Sequence, residues 1–346
     1  MSRSQLPARH GRAAQGWLAA GALAFGATAH VSQDPLPSWN DGPAKRSILA
    51  FVAEATEPGG ARFVPPDARI AVFDNDGTLW TEQPTYVQSA FTLDRLRALA
   101  RENPELLRNQ KVRDALENGD GGTALSEPSP ELIAALAAVY AGMTPGEYER
   151  IVSEWLATAK HPRFRRRYTE LVYRPMLEVI RYLKANGFRT YIVSGGGQDF
   201  MRPWIGRVYG IPPEQVVGST IEVKYELRNG VPVLVRLPKV DFIDDKEGKP
   251  VGIHKFIGRR PVAAFGNSDG DRQMLEYTAV GEGAHLMLLV HHDDCEREYC
   301  YDRESRVGRL DAALDEARRR GWTVVSMKRD WRYIYPFEAP AGARPP

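Results

Sequence analysis

The run from Ile70 to Phe73 is short, apolar and rich in strand-forming residues, and it leads directly into Asp74 and Asp76. If the strand ends at Asp74, the residues that follow form a tight loop that turns Asp76 back beside Asp74. Two carboxylates held this close repel each other, so the site requires a divalent cation or a shared proton. The remaining sequence can therefore be read for the groups that such a site needs.

Strand-like and helix-like patterns alternate through residues 162–346. Helices are expected at 175–186, 198–209, 249–257, 272–277 and 309–320, and buried strands at 188–193, 261–265, 285–290 and 322–327. Two further strand-like runs flank Asn229-Gly230, a dipeptide that favours a hairpin turn. This alternation predicts an α/β fold with a mainly parallel sheet, helices on both faces and a small β-hairpin.

Residues 81–161 have a different character, because no strand-like run interrupts their helical periodicity. Thr144 followed by Pro145 is a favourable start for the last of these helices. We therefore expect an all-helical insertion in an α/β core that comprises residues 30–80 and 162–346. A basic cluster, Arg163 to Arg167, follows the insertion and is either a solvated face or a patch that attracts anionic substrate.

Three polar segments follow predicted strands, and ligands of parallel sheets bind at the carboxyl ends of strands. These segments are Asp74 with its loop, Ser194 with Gly195 and Gly196, and the loop 266–271. The Ser194 hydroxyl and the glycine N–H groups would form a phosphate cradle. One rule of the fold class thus brings three distant parts of the sequence to one site.

Reaction at phosphorus also needs a cationic side chain that neutralises the charge of the transition state. Lys249 and Lys255 are the candidates, and both lie in one predicted helix. We favour Lys249, because the start of that helix lies nearer the strand ends. Lys255 remains the alternative.

The loop Gly266-Asn267-Ser268-Asp269-Gly270-Asp271 supplies oxygen ligands. Together with Asp74 and the main-chain carbonyl of Asp76, these oxygens suit Mg²⁺, a hard cation that prefers carboxylates, water and phosphate. In such a site Asp74 could attack phosphorus as a nucleophile. Asp76 could then act as general acid and afterwards as general base.

Taken in order, these segments resemble the four motifs of the haloacid dehalogenase-like hydrolase superfamily, with phosphoserine-phosphatase-like enzymes as the most similar branch. The motifs are Asp74-Asn75-Asp76-Gly77-Thr78, Ser194, a lysine, and the loop 266–271 followed by Met274-Leu275. The resemblance implies a Rossmann-like core, a helical cap inserted after the first motif, and Mg²⁺-dependent hydrolysis of phosphate esters.

The same resemblance implies roles for individual residues. Asp74 would be nucleophile and metal ligand, and Asp76 acid/base and carbonyl ligand. Phosphate would be bound by Thr78, Ser194, Gly195 and Lys249, and the remaining metal ligands would be Asn267 and Asp271. Many relatives have Asp where this chain has Asn267; because a neutral amide oxygen is a poorer Mg²⁺ ligand, metal binding is expected to be weaker or to depend more on Asp271.

The N-terminus carries Arg3, Arg9 and Arg12, followed by an apolar, small-residue stretch at 17–28 and an A-x-A triplet at 27–29. This layout predicts a signal peptide over residues 1–29 and a periplasmic or secreted protein. A disordered tail rich in Ala and Gly is the alternative. No other segment approaches membrane-spanning length, so we expect no stable membrane association after cleavage.

Two cysteines, Cys295 and Cys300, lie close to His291 and His292. A disulfide is possible in an oxidising compartment, but in a helix a spacing of five would be poor for bridging. A structural zinc site is a weaker alternative.

Composition narrows the partners. The chain has 46 Lys and Arg against 44 Asp and Glu, which gives no reason to expect nucleic acid. We expect a small phosphorylated metabolite as the substrate, and Trp80, Glu82 and Gln83 could contact its headgroup. Dehalogenation, carbon–phosphorus cleavage and a non-catalytic phosphate-binding or receiver-like module are the alternative functions. The sequence does not indicate an oligomeric state.

Overall fold

The computed structural model describes residues 34–108, 110–117 and 137–340. The described residues from Pro35 onward form one compact unit. The predicted signal peptide, residues 1–29, lies outside the described residues, and so does part of the predicted helical insertion, residues 118–136. No helix in the described ranges is long and apolar enough to cross a membrane.

The core is an eight-stranded mixed sheet with strand order β4-β3-β2-β1-β5-β6-β7, in which β8 also pairs with β6. Its strands are β1 Ile70–Phe73, β2 Arg189–Gly197, β3 Val216–Arg228, β4 Val231–Phe242, β5 Ala263–Gly266, β6 Leu286–Asp293, β7 Cys300–Tyr301 and β8 Thr323–Ser326. The pairs that involve β4 and β7 are antiparallel and the others are parallel. The predicted fold class is confirmed.

Both faces of the sheet are covered. In β1, Ile70 and Val72 pack in one apolar cluster, whereas Ala71 and Phe73 pack in the other. Because successive side chains of a strand point to opposite faces, a strand buried on both faces is a continuous apolar run, as β1 is. The sheet therefore holds the residues that follow β1 between two packed layers.

The helices of the described residues are α1 Pro43–Thr56, α2 Val87–Glu102, α3 Gln110–Glu117, α4 Pro145–Thr158, α5 Arg174–Ala185, α6 Gln198–Tyr209, α7 Gly248–Gly252, α8 Arg272–Thr278, α9 Ala312–Arg320 and α10 Met327–Asp330. A π-helical segment, Ile253–Ile257, continues α7. The helices expected between residues 175 and 320 are present to within a few residues, whereas α10 was not predicted.

The described part of the segment between Thr81 and His161 contains helices α2, α3 and α4 and no strand. Thr144 caps α4 as expected: its Oγ1 accepts from the Glu147 N–H at 3.2 Å, and Glu147 accepts from the Thr144 N–H in return. At the base of this segment, His161 Nε2 lies 2.7 Å from the Gln83 carbonyl, and the Thr81 N–H donates to the Leu171 carbonyl at 3.1 Å. Its two ends are thus tied together beside the carboxyl end of β1.

The hairpin of β3 and β4 turns at Asn229 and Gly230, which both have positive φ, as a type I′ turn requires. The two strands are longer than the sequence pattern indicated. Arg236 in β4 exchanges main-chain hydrogen bonds with Gly142 and Met143. The hairpin therefore supports the helical segment.

Cys295 and Cys300 form a disulfide with a Cα–Cα distance of 4.6 Å. The segment is a loop between β6 and β7 rather than a helix, so the chain doubles back and the spacing of five allows the bond. Because each sulfur is bonded to the other, neither is available as a zinc ligand. The short strand β7 was not predicted, since two residues carry no periodicity.

Of the basic cluster, Arg163 donates to the main-chain carbonyls of Cys295, Glu296 and Glu298. Arg167 pairs with Glu170. The Arg163 contacts tie the chain just after the helical insertion to the disulfide loop. Arg163 therefore has a structural role.

Candidate active site

Asp74 is buried at the carboxyl end of β1, where its N–H donates to the Phe265 carbonyl of β5 at 2.9 Å. The chain then turns, because the Leu79 N–H returns to the Asn75 carbonyl at 2.8 Å and Gly77 adopts φ of 71°. The predicted tight loop is present and places the half-buried Asp76 close enough to Asp74 to add to the upward shift of the Asp74 pKa.

Lys249, at the start of α7, is the cation of this site. Its Nζ donates to Asp74 Oδ1 at 2.7 Å, to Asp271 Oδ1 at 2.6 Å and to the Val193 carbonyl at 3.0 Å, and the side chain is 2% exposed. Lys255 lies elsewhere, with Nζ 4.6 Å from the centre of the Phe242 ring. The structure therefore places Lys249 in the site and Lys255 outside it.

One ammonium group does not balance the buried carboxylates. Burial raises the pKa of Asp74 to about 8, and Asp271 adds to this shift while Lys249 opposes it. Burial also raises the pKa of Asp76 to about 6, against the opposing hydrogen bond from Trp80. For Lys249, burial alone would lower the pKa, but the two carboxylates outweigh it and the net shift is upward. The site therefore favours a further positive charge.

Ser194 and Gly196, near the end of β2, face Asp76. The Gly196 N–H donates to Ser194 Oγ at 3.2 Å. A Cβ atom on Gly196 would lie 3.5 Å from Ser194 Oγ and from Gln88 Oε1, and 3.6 Å from Asp76 Oδ2. Gly195 instead faces Asp245: a Cβ atom on Gly195 would lie 3.6 Å from Asp245 Oδ1. The absent side chain of Gly196 thus leaves a space surrounded by polar groups.

The loop after β5 is held by Asp271. Asp271 Oδ2 accepts from the N–H groups of Asn267 and Ser268 at 2.9 and 3.0 Å, while Oδ1 accepts from Lys249. Asn267 Oδ1 accepts from Thr78 Oγ1 at 2.9 Å, which joins this loop to the first one. Asp269 turns away and accepts from two N–H groups at the start of α9.

Among the described residues, no three His, Cys, Asp or Glu side chains are arranged to hold a metal ion. The donors at the strand ends are of mixed type: the Asp74 carboxylate, the Asn267 amide oxygen and the main-chain carbonyl of Asp76. All are oxygen atoms, and this donor chemistry fits a hard divalent cation that keeps several waters.

Glu82 has a different position from the expected headgroup contact. It is 2% exposed, and its Oε1 accepts from Asn267 Nδ2 and from the Tyr301 hydroxyl, both at 2.7 Å. Burial raises the pKa of Glu82 well above its usual range, although the hydrogen bond from Tyr301 opposes this. Trp80 is also buried; it stacks on Trp204 at 4.3 Å and donates to Asp76 Oδ1 at 2.9 Å. Glu82 therefore holds Asn267 in place and Trp80 holds Asp76, and neither side chain is exposed for contact with a substrate headgroup.

Two residues of the site were not identified from the sequence. Gln88, in α2 of the helical segment, accepts from the Gly197 N–H at 2.7 Å. It thus reaches the irregular end of β2, residues 194–197, which is called the Ser194 loop below. Tyr301 reaches Glu82 from β7. No local signal marks either one, because each acts through a contact with a residue more than one hundred positions away.

The family profile described as haloacid dehalogenase-like hydrolase matches residues 71–276, which is more than half of the chain. The chain belongs to the haloacid dehalogenase-like hydrolase family. The matched range begins in β1 and ends in α8, so it contains all four of the motifs described above. The resemblance inferred from the sequence motifs is confirmed at this level.

Solved structures similar to this hydrolase include a conserved, functionally unknown protein from Anaerococcus prevotii DSM 20548, with a TM-score of 0.53, 18% identity, and coverage of 84% of this chain and 94% of that protein. A protein with unknown function from Bordetella pertussis Tohama I has a TM-score of 0.48 at 18% identity, covering 74% and 97% of the two chains. A phosphoserine phosphohydrolase-like protein from Francisella tularensis subsp. tularensis SCHU S4 has a TM-score of 0.38 at 16% identity, covering 72% and 98%. The first of these likenesses supports the shared fold. Comparison with curated proteins gives no match.

Proposed function

We propose that this hydrolase is a Mg²⁺-dependent phosphomonoesterase that acts on a small phosphorylated metabolite through an aspartyl-phosphate intermediate. The observation that carries the proposal is the position of Lys249 Nζ, 2.7 Å from Asp74 Oδ1 and 2.6 Å from Asp271 Oδ1. A buried ammonium group in contact with a strand-end carboxylate can neutralise charge as a phosphoryl group approaches that carboxylate.

In the first step, a carboxylate oxygen of Asp74 attacks phosphorus and the bond from phosphorus to the ester oxygen breaks. The leaving oxygen takes a proton from Asp76, whose Oδ1 is held by Trp80 while Oδ2 faces the Ser194 loop. The phosphoryl oxygens would occupy the space beside Gly196, within reach of the Ser194 hydroxyl. The alcohol leaves and the phosphoryl group stays on Asp74.

In the second step, water attacks the same phosphorus atom and gives its proton to the Asp76 carboxylate. The bond from phosphorus to the Asp74 oxygen breaks, inorganic phosphate leaves, and Asp74 returns to its starting form. Lys249 remains paired with Asp74 and Asp271 throughout, so the electron pair returned to Asp74 is received beside a positive charge.

Asp74, the Asp76 carbonyl and the Asn267 amide oxygen would hold Mg²⁺. When bound, Mg²⁺ withdraws charge from the phosphoryl oxygens and allows two anions to approach each other. Asp271 is the remaining predicted ligand, and its oxygens already accept hydrogen bonds from Lys249 and the loop. Its main contribution in this proposal is therefore to hold the loop in place.

Two alternatives are less well supported. A dehalogenase needs no acid at position 76, yet Asp76 is half-buried and oriented by Trp80. A non-catalytic phosphate-binding module has no need of a helical insertion whose Gln88 contacts the Ser194 loop.

Export is proposed on separate grounds. A periplasmic or secreted location is supported by the basic and apolar pattern of residues 1–29 and by the Cys295–Cys300 disulfide, since disulfides persist in oxidising compartments. Sequencing the N-terminus of protein recovered from the periplasm or medium tests this. An intact Met1 in protein that stays in the cytoplasm would contradict it.

The proposed reaction is tested by phosphate release from an aryl phosphate with purified protein. We expect turnover that is lost in EDTA and restored by Mg²⁺. Acid quenching during turnover, followed by mass spectrometry, should find one phosphoryl group on the peptide that contains Asp74. Hydrolysis that continues unchanged in EDTA, or a phosphoryl group on another residue, would refute the mechanism.

A further inference from the structure

Glu82 is held by two separate parts of the fold. Its Oε1 accepts from Asn267 Nδ2 of the loop after β5 and from the Tyr301 hydroxyl of β7, both at 2.7 Å. Tyr301 in turn stacks on His292 at 4.3 Å, and His292 Nε2 lies 2.8 Å from the Gly77 carbonyl. Glu82 therefore has one fixed position between the loop after β1 and the loop after β5.

Two glycines make room for this carboxyl group. A Cβ atom on Gly77 would lie 2.3 Å from Glu82 Oε1, and one on Gly308 would lie 1.8 Å from it. Both glycines also have positive φ, so other residues would be strained at these positions. Gly77 and Gly308 thus leave space for the Glu82 carboxyl group at the back of the site.

The Asn267 amide has two ends, and only one of them can bind a cation. Its Nδ2 donates to Glu82, while its Oδ1 accepts from Thr78 Oγ1 and lies beside the end of β1. An acceptor fixed at 2.7 Å requires the nitrogen to face it. Contact with Glu82 therefore settles which atom of Asn267 faces the site.

We propose that Glu82 is a positioning residue that orients the Asn267 amide so that Oδ1 faces Mg²⁺, an inference that rests on the Mg²⁺ dependence proposed above. The Glu82 carboxyl group and the Asn267 amide form a pair in which the carboxyl group lies one hydrogen bond further from the ion than the amide oxygen. Outer groups of this kind orient metal ligands and affect metal affinity strongly.

The pairing makes an unusual prediction for Asn267→Asp. Adding a carboxylate ligand to a Mg²⁺ site ordinarily tightens binding. Here the new carboxyl oxygen would replace Nδ2 at 2.7 Å from Glu82 Oε1, and two carboxyl groups at that distance repel each other or share a proton. The substitution should therefore bring no gain until Glu82 is also changed.

The test is a double-substitution cycle of wild type, Glu82→Gln, Asn267→Asp and the combined variant, with Mg²⁺ affinity measured by titration calorimetry in the absence of substrate. A further variant, Glu82→Leu, has no acceptor for Asn267 Nδ2. We expect Glu82→Leu and Asn267→Asp each to bind Mg²⁺ about tenfold more weakly than wild type. Glu82→Gln keeps an acceptor oxygen for Asn267 Nδ2 and should bind nearly as well as wild type, and the combined variant should regain wild-type affinity or better. Glu178→Gln removes a buried carboxylate from another part of the fold and is the matched control. Circular dichroism melting without Mg²⁺ identifies any variant that fails to fold.

A Glu82→Leu variant with unchanged Mg²⁺ affinity would overturn the inference, and so would an Asn267→Asp variant that binds Mg²⁺ more tightly while Glu82 is present. Failure of the proposed function has a different signature. If the cycle follows the expected pattern but no phosphate ester is hydrolysed, the orientation of Asn267 stands and the reaction is wrong. If hydrolysis depends on Mg²⁺ but the two substitutions act independently, the reaction stands and the role of Glu82 is wrong.

Discussion

Two of the buried clusters of charged groups in the described residues have very different partners. In one, Lys249 contacts Asp74 and Asp271 at the ends of the central strands. In the other, Glu178 accepts from the Ser38 N–H at 2.8 Å and from Ser38 Oγ at 2.7 Å, and it pairs with Arg174 Nε at 3.3 Å. Both clusters are removed from water, so both must compensate for the cost of burying charge.

The difference lies in the balance of charge. In the Glu178 cluster, one carboxylate is paired with one guanidinium and accepts from the N–H and the hydroxyl of Ser38. The cluster joins the segment before α1 to α5. The Lys249 cluster matches one ammonium with two carboxylates, and Asp76 lies close by. A cluster that is complete without a ligand stabilises the fold, whereas one that is short of positive charge is suited to bind a cation and an anionic substrate.

The largest expected effect is on turnover in Asp74→Asn. Loss of a covalent nucleophile should lower kcat for an aryl phosphate by at least about 10³-fold. Stability should be maintained or raised, because one of two mutually repelling carboxylates becomes neutral. Steady-state kinetics and thermal melting of the same preparation measure both. An active Asp74→Asn variant would contradict the assignment of this cluster as the catalytic one.

Lys249→Met should damage both function and folding. It leaves Asp74 and Asp271 buried without their cation, which is expected to lower the free energy of unfolding by about 3–5 kcal/mol. Turnover should fall by about 10² or more, since the charge of the transition state is no longer neutralised. Urea unfolding and aryl phosphate kinetics are the measurements, with Lys255→Met as the control that should change neither. Equal effects of the two substitutions would mean that the site cation has been misassigned.

Glu178→Gln should affect stability alone. Weakening a fully satisfied buried carboxylate is expected to cost about 1–3 kcal/mol of unfolding free energy. Because Glu178 bonds to Ser38 before α1 and pairs with Arg174 of α5, away from the Lys249 cluster, kcat and KM should equal those of wild type once folded protein is compared. Urea unfolding gives the first quantity and initial rates give the second. A large change in kcat would show that the two clusters are coupled.

Gln88→Ala should have the smallest effect. It removes the acceptor of the Gly197 N–H and one polar wall of the space beside Gly196. Loss of a single hydrogen bond of about 0.5–1.5 kcal/mol corresponds to a rise in KM of a few-fold, with kcat little changed. A fall in kcat with KM unchanged would instead place Gln88 in the chemical step.

Much of the fold could be predicted from local pattern. The apolar run of β1, the tight loop after Asp74, the Thr144 cap and the Asn229-Gly230 turn are all where the sequence indicates them. Each depends on neighbouring residues only: periodicity shows which faces are buried, and a glycine or a capping residue fixes a turn or a helix start. Element lengths were less accurate, because pairing extends strands such as β2 beyond the apolar run.

The site was predicted in outline for a different reason. The rule that ligands bind at the carboxyl ends of parallel strands brought Asp74, Ser194 and the loop after β5 together without any knowledge of packing. It could not select the atoms that meet. The rule did not indicate that Gly196 rather than Gly195 faces Asp76, nor that Glu82 turns inward to Asn267.

The sequence by itself thus determined the α/β core, the family and the group of residues from which the site is built, because these follow from local periodicity and from motif order. Tertiary structure decided which lysine joins Asp74, that the two cysteines bond, and that Asn267 is paired with Glu82. These are contacts set by how helices and loops pack onto the sheet, and residues distant in the chain carry no local signal of the partner they will meet.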